Sequence, residues 1–597
     1  MTNAPPPAPA VPLHFTDITA KAGIKFKHNN GAFGARWMPE TTGGGVAFLD
    51  YDDDGFQDIF FVNSRDWTEE EIKAYQNRPW TQEELEHTRK KHKGLGLLRK
   101  PVREGRSGQP RGRSIGALYH NNRDGTFTDV TVGSGLDVEM YGMGAAVGDY
   151  DNDGKVDLYV TALRRNYLFR NLSTQSTAKF QDVARQAGVQ DFGWSASAAW
   201  LDYDKDGRLD LFVSHYVKWS PVREVFQTGG GQEKIYGSPL VYDGQVSSLY
   251  RNIGAGRFQD VSKKAGIHQQ QAPGAKTVQW LTGKAWGVAI SDYNKDGWPD
   301  ILVANDLWPN FLFENNKDGT FKEVGAAVGI ALSEKGDSRA GMGIDAADID
   351  HSDRESVVIG NFHGQMLGLY HNQGGAYIDI APRSEVGKVS YNFLTWGLAF
   401  MDVDNDSWPD IITANGHVQD RVSSFDRNIS YRQRPLLFRN LGRRQFQEIG
   451  VKSGLTKAVA GRGLAYADID LDGDLDVVIS ATGENPLLLR NDGGNANNAI
   501  RLVLRGATSN RSAIGALVKV KLGATGLRRT VHSGSSFLSQ SELPLTLGLG
   551  QASKADVIGI RWPSRKVTEL KDVTANQTLI IDEDKGLVEQ KPFAHRQ

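Results

Sequence analysis

Residues 142–171 read GMGAAVGDYDNDGKVDLYVTALRRNYLFRN. A Gly-rich apolar run enters a nine-residue acidic stretch, Asp149 to Asp157, and a β-branched apolar run leaves it, which predicts two buried strands joined by a tight acidic hairpin. The template DxDxDGxxD returns from Asp50, Asp202, Asp292, Asp402 and Asp468. A seventh copy from Asp348, DIDHSDRES, is degraded: Ser352 replaces the third Asp, the Gly is gone, and Ser356 stands in the last acidic position. The starts lie 99, 53, 90, 56, 54 and 66 residues apart, so one unit recurs with two large insertions. After each acidic stretch comes an apolar run (IFFVN, LYVTA, LFVSH, ILVAN, VVIGN, IITAN, VVISA), then a Leu-aromatic-x-Asn motif such as LYHN at 118 or LFRN at 437, then an FxDV-like strand. Four short strands per unit at this spacing predict a propeller blade rather than a helical repeat.

The two ends complete each other. The last unit stops after LLLRNDGG at 487 without its FxDV strand, whereas HFTDITAKAGI at 14 is such a strand with nothing before it. Supplying one blade from both ends closes the ring without exposed strand edges. The expected fold is all-β: a seven-bladed β-propeller with Ca-binding loops over 12–494, with insertions at 64–116 and 218–245, and a β-sandwich over 495–590. In that last segment AIRLVL, ALVKVKL, PLTLGLG, ADVIGIRW and QTLIID alternate like strands, while Asn510 and Arg511 sit in a turn-forming stretch. Thr68 with Glu71 and Thr81 with Glu84 have capping-box spacing, predicting two short helices in the first insertion. From Arg89 to Arg113 run ten Lys/Arg against one Glu, read as a solvated flap, the alternative being a grip on phosphate or sulfate.

Alternate carboxylates on a tight loop, with a Gly permitting positive φ, gather hard oxygen ligands of the kind Ca²⁺ takes. The predicted ligands are Asp50, Asp52, Asp54 and Asp58 with the Phe56 carbonyl; Asp149, Asp151, Asp153 and Asp157 with that of Lys155; and Asp202, Asp204, Asp206 and Asp210 with that of Arg208. The later loops supply Asp292, Asn294, Asp296 and Asp300 with Trp298; Asp402, Asp404, Asp406 and Asp410 with Trp408; and Asp468, Asp470, Asp472 and Asp476 with Asp474. About six Ca²⁺ sites result, the Asp348 loop being left out of the count. The seven loops hold 29 of the 71 acidic residues, so without a cation each packs like charges together. Six Ca²⁺ would add twelve positive charges to the formal −2, giving +10 and an affinity for an anionic surface or acidic glycan.

The composition sets limits. With 69 Lys+Arg against 71 Asp+Glu there is no basic footprint for nucleic acid, and with no Cys there is no disulfide, thiolate metal site or cysteine nucleophile. No stretch approaches the ~20 apolar residues of a membrane-spanning helix. The opening MTNAPPPAPAV has neither a basic nor an apolar signal region. Because such loops bind at high calcium, the expected location is secreted or periplasmic, with any signal removed.

The loops resemble the FG-GAP repeats of integrin α-subunit propellers. MPETTGGGVAFLDYDDDGFQD at 38, ANDLWPNFLFEN at 304, TANGHV at 413 and SNRSAIGALVKV at 509 together resemble the cartilage acidic protein family, whose bacterial members join such repeats to an ASPIC/UnbV module. The resemblance implies the same propeller, bound calcium and export. It departs from the family after HYVKW at 215, where many relatives carry cysteines and this chain reads IYGSPLVYDG.

Aligning the units places His215, Asp306, His363 and His417 at equivalent points just after the second strand, beside Ser64, Leu163 and Glu484. His28 and Glu40, on the segment entering the first blade, join this rim, and Trp194, Trp286, Trp396, Met143 and Met342 line the wall beneath it. Imidazoles and carboxylates of this kind serve as general acids and bases or as ligands of a transition metal. Two functional readings follow: a calcium-stabilised binding protein that takes a polar small-molecule, glycan or anionic ligand on the propeller rim, or an enzyme of lyase, hydrolase or cyclase type at the channel mouth.

Overall fold

The computed structural model describes residues 12–77, 114–228, 234–270 and 279–594. Seven antiparallel four-stranded sheets follow one another. Blade 2 shows the pattern: Gly142–Gly148 innermost, then Asp157–Ala162, Tyr167–Asn171 and Phe180–Asp182. Blade 7 pairs Gly461–Ala467, Asp476–Ala481 and Leu487–Asn491 with Phe15–Asp17 from the other end of the chain, in the register Phe15 to Asn491 and Asp17 to Leu489. The innermost strands pack in sequence from blade 1 to blade 7 and back to blade 1, which closes the ring as expected. The capping box is also present: Thr68 N–H donates to Glu71 at 2.8 Å and Glu71 N–H to the Thr68 hydroxyl at 3.3 Å, starting the helix Glu69–Asn77. The expected second helix near Thr81 and the basic run Arg89–Arg113 lie outside the described residues.

The motif Asn of the third strand fastens each blade to the one before it. Asn171 Nδ2 donates to the Tyr51 carbonyl at 2.8 Å, Asn252 to Tyr150, Asn315 to Tyr203 and Asn372 to Tyr293, each at 2.9 Å. Asn440 reaches Ile349 at 3.0 Å, Asn491 reaches Val403 at 2.8 Å, and Asn121 reaches Ile469 at 2.8 Å, completing the circle. These side chains are buried, so each amide is held where no water replaces a lost partner. Between consecutive blades the apolar strand faces pack together, as Val46, Ile59 and Phe61 do with Val478 and Leu488.

The C-terminal segment forms two four-stranded sheets. One orders Leu545–Gly550, Asn498–Arg505, Gln577–Asp582 and Gly586–Pro592; the other orders Thr525–Thr530, Leu517–Leu522, Lys554–Arg561 and Val567–Thr574. Three of these strands carry no apolar run, and two of them, Val567–Thr574 and Gly586–Pro592, are edge strands with mostly exposed side chains, which explains why the sequence hid them. The sandwich is not a free appendage. Its core is continuous with blades 2 and 3, joining Ile500, Ile514 and Trp562 to Trp200 and Leu209. It sits on the face that carries the Asp loops: Arg511 N–H donates to Asn152 at 2.8 Å, Gly550 N–H to the Asn405 carbonyl at 2.8 Å and Ala594 N–H to that of Leu471 at 2.9 Å.

The connection from Thr530 to Leu545 enters the central channel. Ser535 N–H donates to Val288, Ser536 to Ile344 and Gln540 to Val46, while Ala145 and Phe48 N–H donate to Leu538 and Gln540. Phe537 and Leu538 are fully buried among Trp194, Trp286, Trp396, Met143 and Met342, so the expected channel wall encloses a plug. Five residues before each acidic stretch stands Gly45, Gly144, Ser197, Gly287, Gly343, Gly397 or Gly463. A Cβ on Gly45 would lie 2.1 Å from the Leu538 carbonyl oxygen and one on Gly463 would lie 2.4 Å from the Ser539 hydroxyl. The glycines of the inner strands therefore make room for the plug as well as for neighbouring strands. Asn171→Ala leaves the Tyr51 carbonyl without its donor and is expected to lower unfolding free energy by about 1–3 kcal/mol, read from the denaturant midpoint.

Candidate functional site

The acidic loops share one construction. In blade 1 the Asp50 carboxylate accepts N–H groups of Asp54 at 3.0 Å and Gly55 at 2.9 Å, and Asp54 accepts from Phe56 at 2.8 Å. Asp58 accepts from Tyr51 at 3.2 Å and from Asn121 at 2.8 Å, so the last carboxylate ties the loop to the third strand as well as facing its centre. Asp157, Asp210, Asp300, Asp410 and Asp476 repeat that double grip. The sixth position has positive φ, as the Gly predicted, and so does the fourth, occupied by Asp53, Asn152, Lys205, Lys295, His351, Asn405 and Leu471. This second turn of left-handed backbone, unannounced by any glycine, lets the fourth side chain reach the next blade: Asn152 donates to the Gly207 carbonyl at 3.2 Å and Asn405 to Gly473 at 2.8 Å.

What these bonds leave over is the carboxylate at the third position. Asp52, Asp151, Asp204, Asp404 and Asp470 each keep a buried oxygen with no hydrogen-bond partner, as do Asp292 and Asp468 at the first position. Ligand oxygens of Asp50, Asp52 and Asp58 lie within 4.8 Å of one another, and the same holds for Asp149, Asp151 and Asp157, for Asp202, Asp204 and Asp206, and for Asp402, Asp404 and Asp410. Buried, unsatisfied, all-oxygen and anionic, these donor sets fit a hard divalent cation such as Ca²⁺. Burial and neighbouring carboxylates push Asp50 and Asp149 up to about 7, Asp300 to about 8 and Asp406 to about 9.

The residue before the motif Asn sets a counter-charge that sequence reasoning overlooked. Arg170 meets Asp151 at 2.7 Å and Asp153 at 3.0 Å, Arg251 meets Asp204 at 2.6 Å, and Arg439 meets Asp404 at 2.7 Å and Asp406 at 2.8 Å. In blade 4, where Asn294 replaces an acid, the position is Glu314, 3.2 Å from the Asn294 amide, so a carboxylate is regained. The degraded blade 5 loop is answered by the protein's own cations: Asp353 pairs with Lys295, with Lys519 at 2.8 Å and with Arg528, and His371 bonds Ser356 at 3.2 Å. Loops 6 and 7 are buried beneath the sandwich, where a Cβ on Gly548 would lie 2.2 Å from an Asp402 oxygen. Arg501, itself buried, pairs with Glu542 and stands 3.9 Å from Asp468.

At the opposite mouth the rim residues occupy separate settings. His215 touches Ser195 at 3.3 Å and Asp191 at 3.2 Å through the same ring nitrogen, Nε2, which is not the relay of a nucleophile–base–acid triad. Asp306 accepts from the Tyr216 hydroxyl at 2.6 Å, and burial pushes it to about 6. Glu40, buried with Tyr236 3.4 Å away, is pushed to about 8, and burial drives His28 down to about 3. His363 and His417 do meet, at 3.1 Å. Because His417 Nδ1 accepts from Gln419 N–H at 3.0 Å, its Nε2 carries the proton and donates to His363. Arg462, missed in the sequence, is buried beneath them, its guanidinium 4.4 Å from the centre of the Trp396 ring and donating to the Thr41 carbonyl at 2.6 Å.

Residues 107–160, 149–213 and 292–359 match the FG-GAP-like repeat model, and residues 506–588 match the ASPIC and UnbV model. The chain thus carries FG-GAP-like repeats and an ASPIC/UnbV domain. It is homologous to cartilage acidic protein 1, at 26% identity over 469 residues of the human protein and 26% over 475 residues of the mouse protein, in each case 74% of this chain. The match spans 62% and 65% of those relatives' lengths. Integrin alpha-3 of Cricetulus griseus is 27% identical over 200 residues, 28% of this chain and 18% of its own. Among solved structures, an Agrocybe aegerita lectin that recognises non-reducing terminal N-acetylglucosamine covers 63% of this chain and 87% of its own at 14% identity and a TM-score of 0.35, too distant to carry an argument.

The raised carboxyl pKa values fix a sign. A folded value above the unfolded one near 4 means stability present at low pH and lost as pH rises through the folded value. Below pH 7 the buried neutral His28 and His417, pushed to about 3, act oppositely, so the clean window is pH 7–9. In chelator, the melting temperature should fall from pH 7 to pH 9 as Asp300, Asp406 and Glu40 ionise; a constant or rising value contradicts the electrostatic picture.

Proposed function

We propose that this chain is an exported, calcium-stabilised binding protein that takes a polar or anionic ligand, a glycan foremost, on the propeller mouth opposite its Asp loops. Calcium rests on the orphaned carboxylate oxygens and on the repeats shared with integrin α-subunits. Export fits loops of this type, which fill at extracellular calcium levels. The choice of mouth rests on what is left uncovered. The sandwich occupies the Asp-loop face and its plug fills the channel, so recognition belongs to the loops of the other rim.

One observation carries this assignment. Among the described residues the large aromatic side chains left exposed are Phe192, Trp308, Tyr391 and Phe425, between 42% and 74% accessible, and all four stand in loops of that mouth. Exposed rings spaced around one rim offer flat apolar faces beside polar groups, an arrangement suited to stacking on sugar rings. Six bound Ca²⁺ would make the whole particle cationic and favour acidic glycans. The calcium-loaded chain is expected to bind an immobilised acidic glycan, such as a sulfated or uronate polymer, in moderate salt. Trp308→Ala with Phe425→Ala should weaken binding about tenfold or more at unchanged melting temperature. Binding that ignores both changes, or no binding across acidic and neutral glycans, overturns this reading.

A second reading, catalysis at the same mouth, has the hydrogen-bonded His363–His417 pair in its favour. His417→Ala should then abolish turnover of a polar substrate while leaving the aromatic-dependent affinity intact.

A further inference from the structure

Where the Asp loops of blades 3 and 4 meet the sandwich, a cavity of about 290 Å³ remains. Its walls come from both sides. Trp298 and Leu201 belong to the ring; Ile514, Val531 and Trp562 belong to the sandwich, whose core is otherwise closely packed. Around this apolar interior stand four cationic side chains, Lys205 from the ring and Arg528, Arg561 and Arg565 from the sandwich.

Their placement is convergent. The Lys205 ammonium lies 4.7 Å from the centre of the Trp298 ring and donates to the Gly297 carbonyl. A Cβ built on Gly297 would lie 3.8 and 3.9 Å from the two terminal nitrogens of Arg561 and 4.0 Å from the Lys205 nitrogen, so cations from two domains face one point. Arg565 sits in the turn after Trp562 with φ of 75°, its N–H donating back to the Trp562 carbonyl at 2.8 Å, and among the described residues its guanidinium has no ion-pair partner. Acids also line the cavity and are partly engaged: Asp202 accepts from the N–H groups of Asp206 and Gly207, Asp292 from that of Gly297 with Arg561 at 3.9 Å and its second oxygen unpaired, and Asp296 from that of Trp298 with Lys317 at 3.2 Å. Arg528 is engaged with Asp353 and Glu355. Lys205, Arg561 and Arg565 therefore form an electropositive edge on an apolar, tryptophan-walled cavity.

We propose that this interdomain cavity binds a small amphipathic anion, a carboxylate, sulfate or phosphate group carried on an apolar body of ring size. The body would lie between Trp298 and Trp562, and the anionic group would meet Lys205, Arg561 and Arg565. Charge-assisted hydrogen bonds in a half-enclosed site are the strong kind, and guanidinium groups suit oxyanions of this geometry. Because the residues come from ring and sandwich alike, the ligand would also hold the two together.

The test uses the full calcium-loaded chain and calorimetric titration with 1-naphthoate, naphthyl phosphate and the neutral isostere 1-naphthamide. The anions should bind and the amide should bind at least about tenfold more weakly. Arg565→Gln, on an exposed turn, should weaken the anions about tenfold at unchanged melting temperature, and Lys205→Met, which keeps the stem but takes the donor from the Gly297 carbonyl, should weaken them about tenfold alongside some loss of melting temperature, whereas Trp308→Ala on the far mouth should leave them unaffected. Equal affinity for anion and amide, anion binding indifferent to Arg565→Gln and Lys205→Met, or no binding of either anion overturns the proposal.

Discussion

Crowded carboxylates on one face of a closed ring govern this molecule. Seven loops hold 29 acidic residues, and most of their oxygens are already committed to backbone N–H groups that shape the turns. Of those that remain, one each on Asp52, Asp151, Asp204, Asp404 and Asp470 is buried and unpaired beside other negative charges. Such an arrangement is costly unless a cation completes it, and the chain supplies only part of that charge through Arg170, Arg251 and Arg439. Blade 5, where Lys295, Lys519 and Arg528 converge on the altered loop, shows what a loop looks like when protein cations serve instead.

The sandwich builds on that charged face. It spans several loops, buries those of blades 6 and 7, and sends Phe537 and Leu538 into the channel, where the inner-strand glycines receive them. A ring closed by one N-terminal strand and filled from below by a C-terminal plug has both ends of its chain committed to the core. Cations held between ring and sandwich would couple the stability of one to the docking of the other, while the aromatic mouth on the far side stays clear of both.

Much of the ring was legible in the sequence because its determinants are local and repeated: the acidic template, the β-branched run after it, and the displaced FxDV strand at residue 15. The motif Asn was visible but its role was not, since its partner lies in the preceding blade. The plug stayed hidden because SGSSFLSQS reads as an ordinary polar loop, and the glycines that admit it read as strand composition. Left-handed backbone at Asn152 or Lys205 had no glycine to announce it. The rim residues aligned in sequence yet did not converge, because equivalent positions in seven blades lie on a circle wide enough that only some neighbours touch; His363 and His417, in blades 5 and 6, are such a pair.

If the acidic loops are ion cages on which ring and sandwich jointly depend, their ions can be counted. Calorimetric titration of the chelated protein with Ca²⁺ tests this most directly. About six ions per chain are expected, and two fewer when Asp404 and Asp470, whose orphaned oxygens lie beneath the sandwich, are changed to Ala. Absence of stoichiometric binding, or a stoichiometry untouched by those two changes, would contradict this.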